Sequence, residues 1–123
     1  NIIDNDYTVC VRGGGNFSVR LYETLSCGRI PIFIDTDSRL PFDFLINWKE
    51  YCIWVDQQDM PRLPEIVNDF HSNLSGEEFV ALQHKCRDLW QQWLRKESFL
   101  AHFYEHLLHV VRTDSRLTER IVP

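Results

Sequence analysis

The sequence contains no run of apolar residues approaching the ~18 needed to cross a bilayer, and no secretory signal opens it. Positive charge is also scarce: 13 Lys and Arg stand against 18 Asp and Glu, a net charge of −5. Without a basic face, nucleic acid is excluded as a partner. Any anionic ligand must therefore be held by local donors and not by a global field. There is no C-x-x-C pair among Cys10, Cys27, Cys52 and Cys86, so a zinc ribbon or a thioredoxin motif is excluded. Cys10 and Cys52 sit inside apolar runs and are expected as buried, reduced thiols. A bridged secreted mini-domain fits poorly, although spacing alone leaves room for one disulfide. Internal repeats, low-complexity stretches and interdomain linkers are missing too. The first residue is Asn1 and not methionine, as expected of a processed or excised piece of something longer.

What is present is the composition of a globular domain. The 123 residues are 44% hydrophobic, 25% charged and 13% aromatic, enough for one domain with a real core. A chain of this size buries about two-thirds of its unfolded surface. Three short apolar runs rich in β-branched and aromatic residues read as strands: Tyr7 to Val11, Ile30 to Ile34 and Cys52 to Val55. They do not alternate strictly, as expected when both faces of a sheet are covered. A helix is expected from Ser18 to Cys27, with Leu21, Tyr22 and Leu25 inward and Gly28 closing it. Strand, glycine turn, helix, glycine and strand make a βαβ unit, so the sheet should be parallel and the fold α/β.

The remainder reads as C-terminal helices. Pro61 to about Asn73 carries Leu63, Ile66, Val67 and Phe70 at helical spacing. Ser75 with Glu78 forms a capping box that opens a second helix with the stripe Phe79, Leu82, Cys86, Leu89, Trp90 and Trp93. Ser98 is expected to cap a third, with Phe99, Phe103, Leu107 and Val111 inward. The polar tail from Thr113 to Pro123 is expected to fray. Three strands leave two open edges. They are expected to be covered by further strands before Asn1 in a parent protein, or by a second copy in a homo-oligomer.

The segment with the most chemistry is Arg12-Gly13-Gly14-Gly15-Asn16-Phe17-Ser18-Val19-Arg20-Leu21-Tyr22-Glu23. Its glycine turn sits at the carboxyl end of a strand, where open α/β sheets bind ligands. Glycines let the backbone approach a phosphate, and the next helix offers unpaired N–H groups and the positive end of its dipole. Arg12 and Arg20 add charge that can neutralise a diphosphate. Glu23 lies one turn beyond Arg20 on the same face, and its carboxylate can accept hydrogen bonds from two ribose hydroxyls. The plainer reading makes Gly13 to Gly15 a tight turn and Arg20–Glu23 an i,i+3 ion pair. The motif is neither a complete P-loop nor G-x-G-x-x-G, so both readings stand.

The stretch Val11 to Leu25, followed by Cys27-Gly-Arg-Ile-Pro-Ile32, then Leu40-Pro-Phe42 and Asn47-Trp48, resembles the C-terminal part of exostosin-type glycosyltransferases of the GT47 kind. The resemblance covers roughly Tyr7 to Trp93. It implies the donor-binding half of a GT-B enzyme: a Rossmann-like, three-layer α/β domain that binds a nucleotide sugar, UDP-linked by expectation. The partner half, which binds the glycan acceptor, is absent from these residues. The resemblance also implies inversion at the anomeric centre, a role in polysaccharide biosynthesis and no bound metal. By resemblance Glu23 matches the glutamate that holds the ribose. Arg12, Ser18 and Arg20, with Gly13, Gly14 and Gly15, match the diphosphate-facing motif. No residue stands out as the catalytic base. The chain departs from the family where it reads Tyr22-Glu23-Thr24-Leu25, since many members have alanine after the glutamate. The compartment implied is the cytoplasm for a bacterial member and the Golgi lumen for a eukaryotic one.

Three other constellations carry weaker signals. Asp35-Thr36-Asp37 has the form of a D-x-D motif whose carboxylates can bind a divalent ion, but aspartates are also ordinary loop residues. His102, His106 and His109 recur at helical spacing and can in principle hold a transition metal. A solvated polar face opposite Phe99, Phe103 and Leu107 is the expected arrangement. Pro41, Phe42 and Trp48 read as the stiffener and packing of a loop. Against the transferase stand a non-catalytic nucleotide- or sugar-binding module and a dinucleotide-binding oxidoreductase domain. For the last, Asp35 meets the acidic position but the glycine spacing fails.

Overall fold

A computed structural model of the chain describes residues 1–114. Two compact units divide it, one spanning Asn1–Trp90 and the other beginning at Gln91. The first unit is the α/β part. Its strands are β1 (Tyr7–Cys10), β2 (Ile30–Asp35) and β3 (Ile53–Asp56), all parallel in the order β1-β2-β3. The helices are α1 (Val19–Ser26), α2 (Leu63–Ser72) and α3 (Gly76–Leu89). Each predicted strand is found to within one or two residues. A 3-10 segment, Gln57–Arg62, leads into α2 and takes up Pro61.

The register places side chains in layers. Tyr7 lies opposite Ile30, Val9 opposite Ile32, and Ile32 opposite Ile53. Because successive strand residues point to opposite faces, Tyr7, Val9, Ile30, Ile32, Ile34, Ile53 and Val55 share one face. Thr8, Cys10, Phe33 and Trp54 share the other. Helix α2 packs on the first face, where His71 Nδ1 is 2.8 Å from the Tyr7 hydroxyl. Helix α1 packs on the second, where Cys10 Sγ is 3.7 Å from Thr24 Oγ1. The result is the three-layer, Rossmann-like arrangement that the sequence predicts. Ile30, Phe33 and Ile34 are wholly buried, as are Leu21 and Leu25 from α1. Thr24 is buried with them; its hydroxyl donates to the Arg20 carbonyl at 2.7 Å, which is how a polar residue is tolerated there.

Helix α3 lies across the amino ends of the strands. Phe79 meets Tyr7, the first residue of β1, with ring centroids 5.8 Å apart. Arg87 donates to the Ser26 carbonyl just before β2. The Cys86 thiol donates to the Tyr51 carbonyl, just before β3, at 3.3 Å. The predicted capping box opens the helix: Glu78 N–H donates to Ser75 Oγ at 3.1 Å, and Ser75 N–H to Glu78 Oε2 at 2.8 Å. Gly28, at φ +63°, closes α1 and lets the chain reverse into β2. All four cysteines are free; Cys10, Cys52 and Cys86 are buried and Cys27 is exposed.

The second unit corrects two expectations. Helix α4 (Lys96–Thr113) begins before Ser98, behind an extended Arg95. Ser98 lies inside its first turn, where its hydroxyl donates to the Gln91 carbonyl at 2.6 Å. A π-helical turn, Trp90–Leu94, precedes the helix. Phe103 and Leu107, expected inward, are each 47% exposed. Phe99 and Val111 are half-buried as expected, but so are His102, His106, Leu108 and Val110. His102 stacks on Trp93 with centroids 3.8 Å apart, which places it on the covered side of the helix. Of the tail expected to fray, Thr113 ends α4; residues 115–123 lie outside the described residues. Among the described residues, no helix is long and apolar enough to cross a membrane.

Candidate functional site

With α3 across the amino ends, the carboxyl ends of the strands carry the loops. The loop after β1 closes on itself: Gly13 N–H donates to the Phe17 carbonyl at 3.0 Å. None of Gly13, Gly14 and Gly15 has a positive φ, so left-handed backbone is not the reason for glycine here. A Cβ on Gly15 would stand 2.7 Å from the Phe17 ring. On Gly14 it would meet nothing within 4 Å, and on Gly13 only the Phe17 carbonyl oxygen at 3.8 Å. At 13 and 14 neither positive φ nor crowding calls for glycine; what glycine leaves there is bare, open backbone.

Ser18 precedes α1 in extended backbone at φ −122° and ψ 112°. This is the N-cap position, yet its side chain caps nothing. The residue is 2% exposed and its Oγ has no hydrogen-bond partner. The first turn of α1 contains no acidic residue either, so its N–H groups have no carboxylate to meet. Arg20 Nη1 lies 3.6 Å from Glu23 Oε2, with both side chains about half exposed, so the plain ion pair is present. Arg12 is exposed and has no ion-pair partner among the described residues. Behind this turn the Cys10 thiol is pushed up to about 11, first by burial, which outweighs the Thr24 hydrogen bond. It is a packed, protonated group and not a nucleophile.

The loop after β2 borders the same edge. Asp35 ends the strand, and its Oδ1 accepts the Asp37 N–H at 3.0 Å, an Asx turn that holds Asp37 at φ +61°. Arg39 N–H donates to the Asn16 carbonyl at 3.2 Å and ties this loop to the glycine turn. The hydroxyls of Thr36 and Ser38 are buried without partners. Sequence reading missed Thr36, Ser38 and Arg39; the segment attracted notice only for its two aspartates. Downstream, Trp48 Nε1 donates to the Pro41 carbonyl at 3.0 Å, and Phe42 is buried at φ +54°. These residues pack the loop, as expected. Trp48 also lines a cleft of 430 Å³ over Trp54, with Ser38, Asp43 and Lys49 on its walls.

The histidines do not assemble. His102 Nε2 donates to the Gln92 carbonyl at 2.9 Å while its ring stacks on Trp93. His109 is exposed. Among the described residues, no three His, Cys, Asp or Glu side chains stand together as metal ligands.

Residues 2–70 match the Exostosin GT47 domain family, and they include the whole glycine turn, α1 and all three strands. The chain is 32% identical to Exostosin-1 of Drosophila melanogaster over 88 residues, which are 70% of this chain and 11% of that protein. It is 39% identical to a probable glucuronosyltransferase of Oryza sativa subsp. japonica over 61 residues, 50% of this chain and 14% of the relative. It is 36% identical to a probable beta-1,4-xylosyltransferase of Arabidopsis thaliana over 61 residues, 50% of this chain and 15% of the relative. The chain thus spans well under a fifth of the length of these three proteins. A parallel βαβ unit with the arginine–glycine turn at its carboxyl edge, and the match that covers it, place the chain in the exostosin GT47 family of glycosyltransferases.

Proposed function

We propose that this chain is the donor-binding part of an inverting glycosyltransferase, and that its carboxyl edge holds the diphosphate of a nucleotide sugar, UDP-linked by preference. One observation carries this reading. The Ser18 hydroxyl is buried and unpartnered at a helix N-terminus that no side chain caps. A buried hydroxyl without a partner costs free energy. An anion at this turn removes that cost, since the hydroxyl and the first-turn N–H groups can all donate to it. Gly13 and Gly14 supply bare backbone, and Arg12 and Arg20 supply charge. Glu23 accepts from the ribose hydroxyls.

On this reading catalysis comes from orienting the donor and stabilising the departing diphosphate with Arg12, Arg20 and the N-terminus of α1. An acceptor hydroxyl also needs a base, and no residue here is assigned to it; the acceptor half supplies it or completes the cleft. The relatives' names point to a glycuronosyl or pentosyl donor, and a eukaryotic member would work in the Golgi lumen on polysaccharide.

Calorimetry on the 123-residue chain tests the reading. UDP should bind weakly, equally well in EDTA and in Mn²⁺, and NAD should not bind. Sugar transfer by this chain alone should be absent. Failure of UDP to bind would refute the reading. A strict Mn²⁺ requirement, lost in Asp37→Ala, would replace it with a metal-bridged diphosphate.

A further inference from the structure

The Asp35–Arg39 turn after β2 contains features that neither the glycine turn nor the loop packing explains. Thr36 Oγ1 and Ser38 Oγ are both shut away from solvent, and neither has a hydrogen-bond partner. Ser18 Oγ, at the neighbouring strand end, is in the same condition at 2% exposure. Hydroxyls are the easiest side chains to satisfy, because the proton rotates to suit its surroundings. Three left unsatisfied on one edge of one sheet call for a shared cause. The two turns are also joined: Arg39 N–H donates to the Asn16 carbonyl at 3.2 Å, so the β2 turn is held against the glycine turn. The Asx turn at Asp35 holds Asp37 in left-handed backbone, which sets the course of the next two residues. Arg39 itself is exposed, and its guanidinium has neither an ion-pair nor a hydrogen-bond partner among the described residues.

We infer that the Asp35–Arg39 turn is a second arm of the anion site, with the Thr36 and Ser38 hydroxyls and the Arg39 guanidinium donating to the same diphosphate that the glycine turn and Ser18 hold. This rests on the donor-binding reading above and extends it to residues outside the glycine motif. The chemistry fits a diphosphate better than a single phosphate. A nucleoside diphosphate presents several charged oxygens, more than one uncapped helix turn can serve. A guanidinium matches phosphate geometry with paired N–H groups. The carboxylates of Asp35 and Asp37 oppose an anion here. Asp35 is already committed to the Asp37 N–H; Asp37 is exposed, so water screens it.

The test is calorimetric titration of the full chain with UDP, inorganic pyrophosphate and uridine. The variants are Arg39→Ala, Arg39→Lys, Thr36→Val and Ser38→Ala, with melting curves to confirm folding. Arg39→Ala should weaken UDP and pyrophosphate about tenfold, the loss expected for a charged hydrogen-bonding group. Arg39→Lys should recover part of that loss. Thr36→Val and Ser38→Ala should each weaken both anions severalfold and leave melting unchanged or raised. Uridine binding should not respond to any of them. If Ser18→Ala weakens UDP while all four variants bind it within twofold of wild type, the second arm is refuted and the donor-binding reading survives. If wild type binds neither UDP nor pyrophosphate, both fall together.

Discussion

Replacing Glu23 by glutamine separates the two roles this residue can have. The carboxylate lies 3.6 Å from Arg20, and the two side chains are 52% and 55% exposed. A pair that long and that wet is screened by solvent, so its loss should cost only about 0.2–0.5 kcal/mol. For a domain of this size that is about 1–3 °C in Tm. If Glu23 instead accepts from two ribose hydroxyls, the amide keeps the shape but loses the charge. The cost should be about 1.5–3 kcal/mol of binding, a tenfold or greater rise in Kd. The assay is one melt and two titrations per variant, with UDP and with its 2′,3′-dideoxy analogue. Wild type should prefer UDP, and Glu23→Gln should lose most of that preference with little change in Tm. Equal affinity of wild type for both ligands would remove Glu23 from the site. A large drop in Tm would show that the surface-pair account is wrong as well.

Three further outcomes follow from the same structure. Ser18→Ala should leave stability unchanged or raise it, because it deletes a buried hydroxyl with no partner, yet weaken UDP about tenfold; a destabilised protein with normal binding would mean the hydroxyl is structural. Gly28→Ala should cost about 1–2 kcal/mol in urea unfolding, because φ is +63° there and a Cβ would find only ordinary contacts at 3.5 Å; a neutral change would contradict the left-handed closure of α1. Burial pushes the thiols of Cys10 up to about 11 and of Cys52 and Cys86 up to about 12, and it raises the Tyr7 and Tyr22 phenols as well. Folded pKa values above the unfolded ones mean that this contribution is whole below pH 9 and is lost as pH rises from about 9 toward 12. Urea midpoints should fall across that window, and at pH 8 a thiol reagent should label Cys27 alone in the folded protein; labelling of more than one thiol, or midpoints that rise, would refute the buried-thiol account.

The βαβ unit was legible because its signals are local and redundant. Ile30 to Ile34 is apolar enough to be buried on both faces and Gly28 marks the end of α1; likewise Ser75 with Glu78 spells the cap of α3 in four residues. What escaped depends on contacts distant in sequence. Tyr7 and His71 are 64 residues apart, so nothing near His71 announces its hydrogen bond. Hydrophobic spacing alone does not show that His102 of α4 is covered, because its partner is the Trp93 ring on which it stacks. At the site, the glycine turn is a turn as expected, but without positive φ: Gly13 and Gly14 face open space, and Gly15 lies against the Phe17 ring. Thr36, Ser38 and Arg39 have no motif at all. They came to notice through unpaired atoms, and pairing is a property of the fold.

The two ends of the sheet differ in how their polar groups are matched. At the amino ends four polar side chains of α3 are matched: Gln83 reaches Asp6, Arg87 the Ser26 carbonyl, Lys85 the Glu50 carboxylate at 3.0 Å, and Cys86 the Tyr51 carbonyl. At the carboxyl ends the hydroxyls of Ser18, Thr36 and Ser38 are buried and unmatched. The contrast is not absolute, since Thr8 Oγ1 and Arg29 Nε also lack partners. Arg29 is otherwise engaged, donating to the Ile3 carbonyl at 2.7 Å, and Thr8 is a single hydroxyl within an edge strand. Among the described residues, unmatched hydroxyls coincide with bare glycine backbone, an uncapped helix and the unpaired Arg12 and Arg39 at the carboxyl end alone. Folding alone would favour matching these groups as the amino end does, at about 1 kcal/mol or more for each. On the proposed reading, a bound diphosphate supplies the partners that the fold does not.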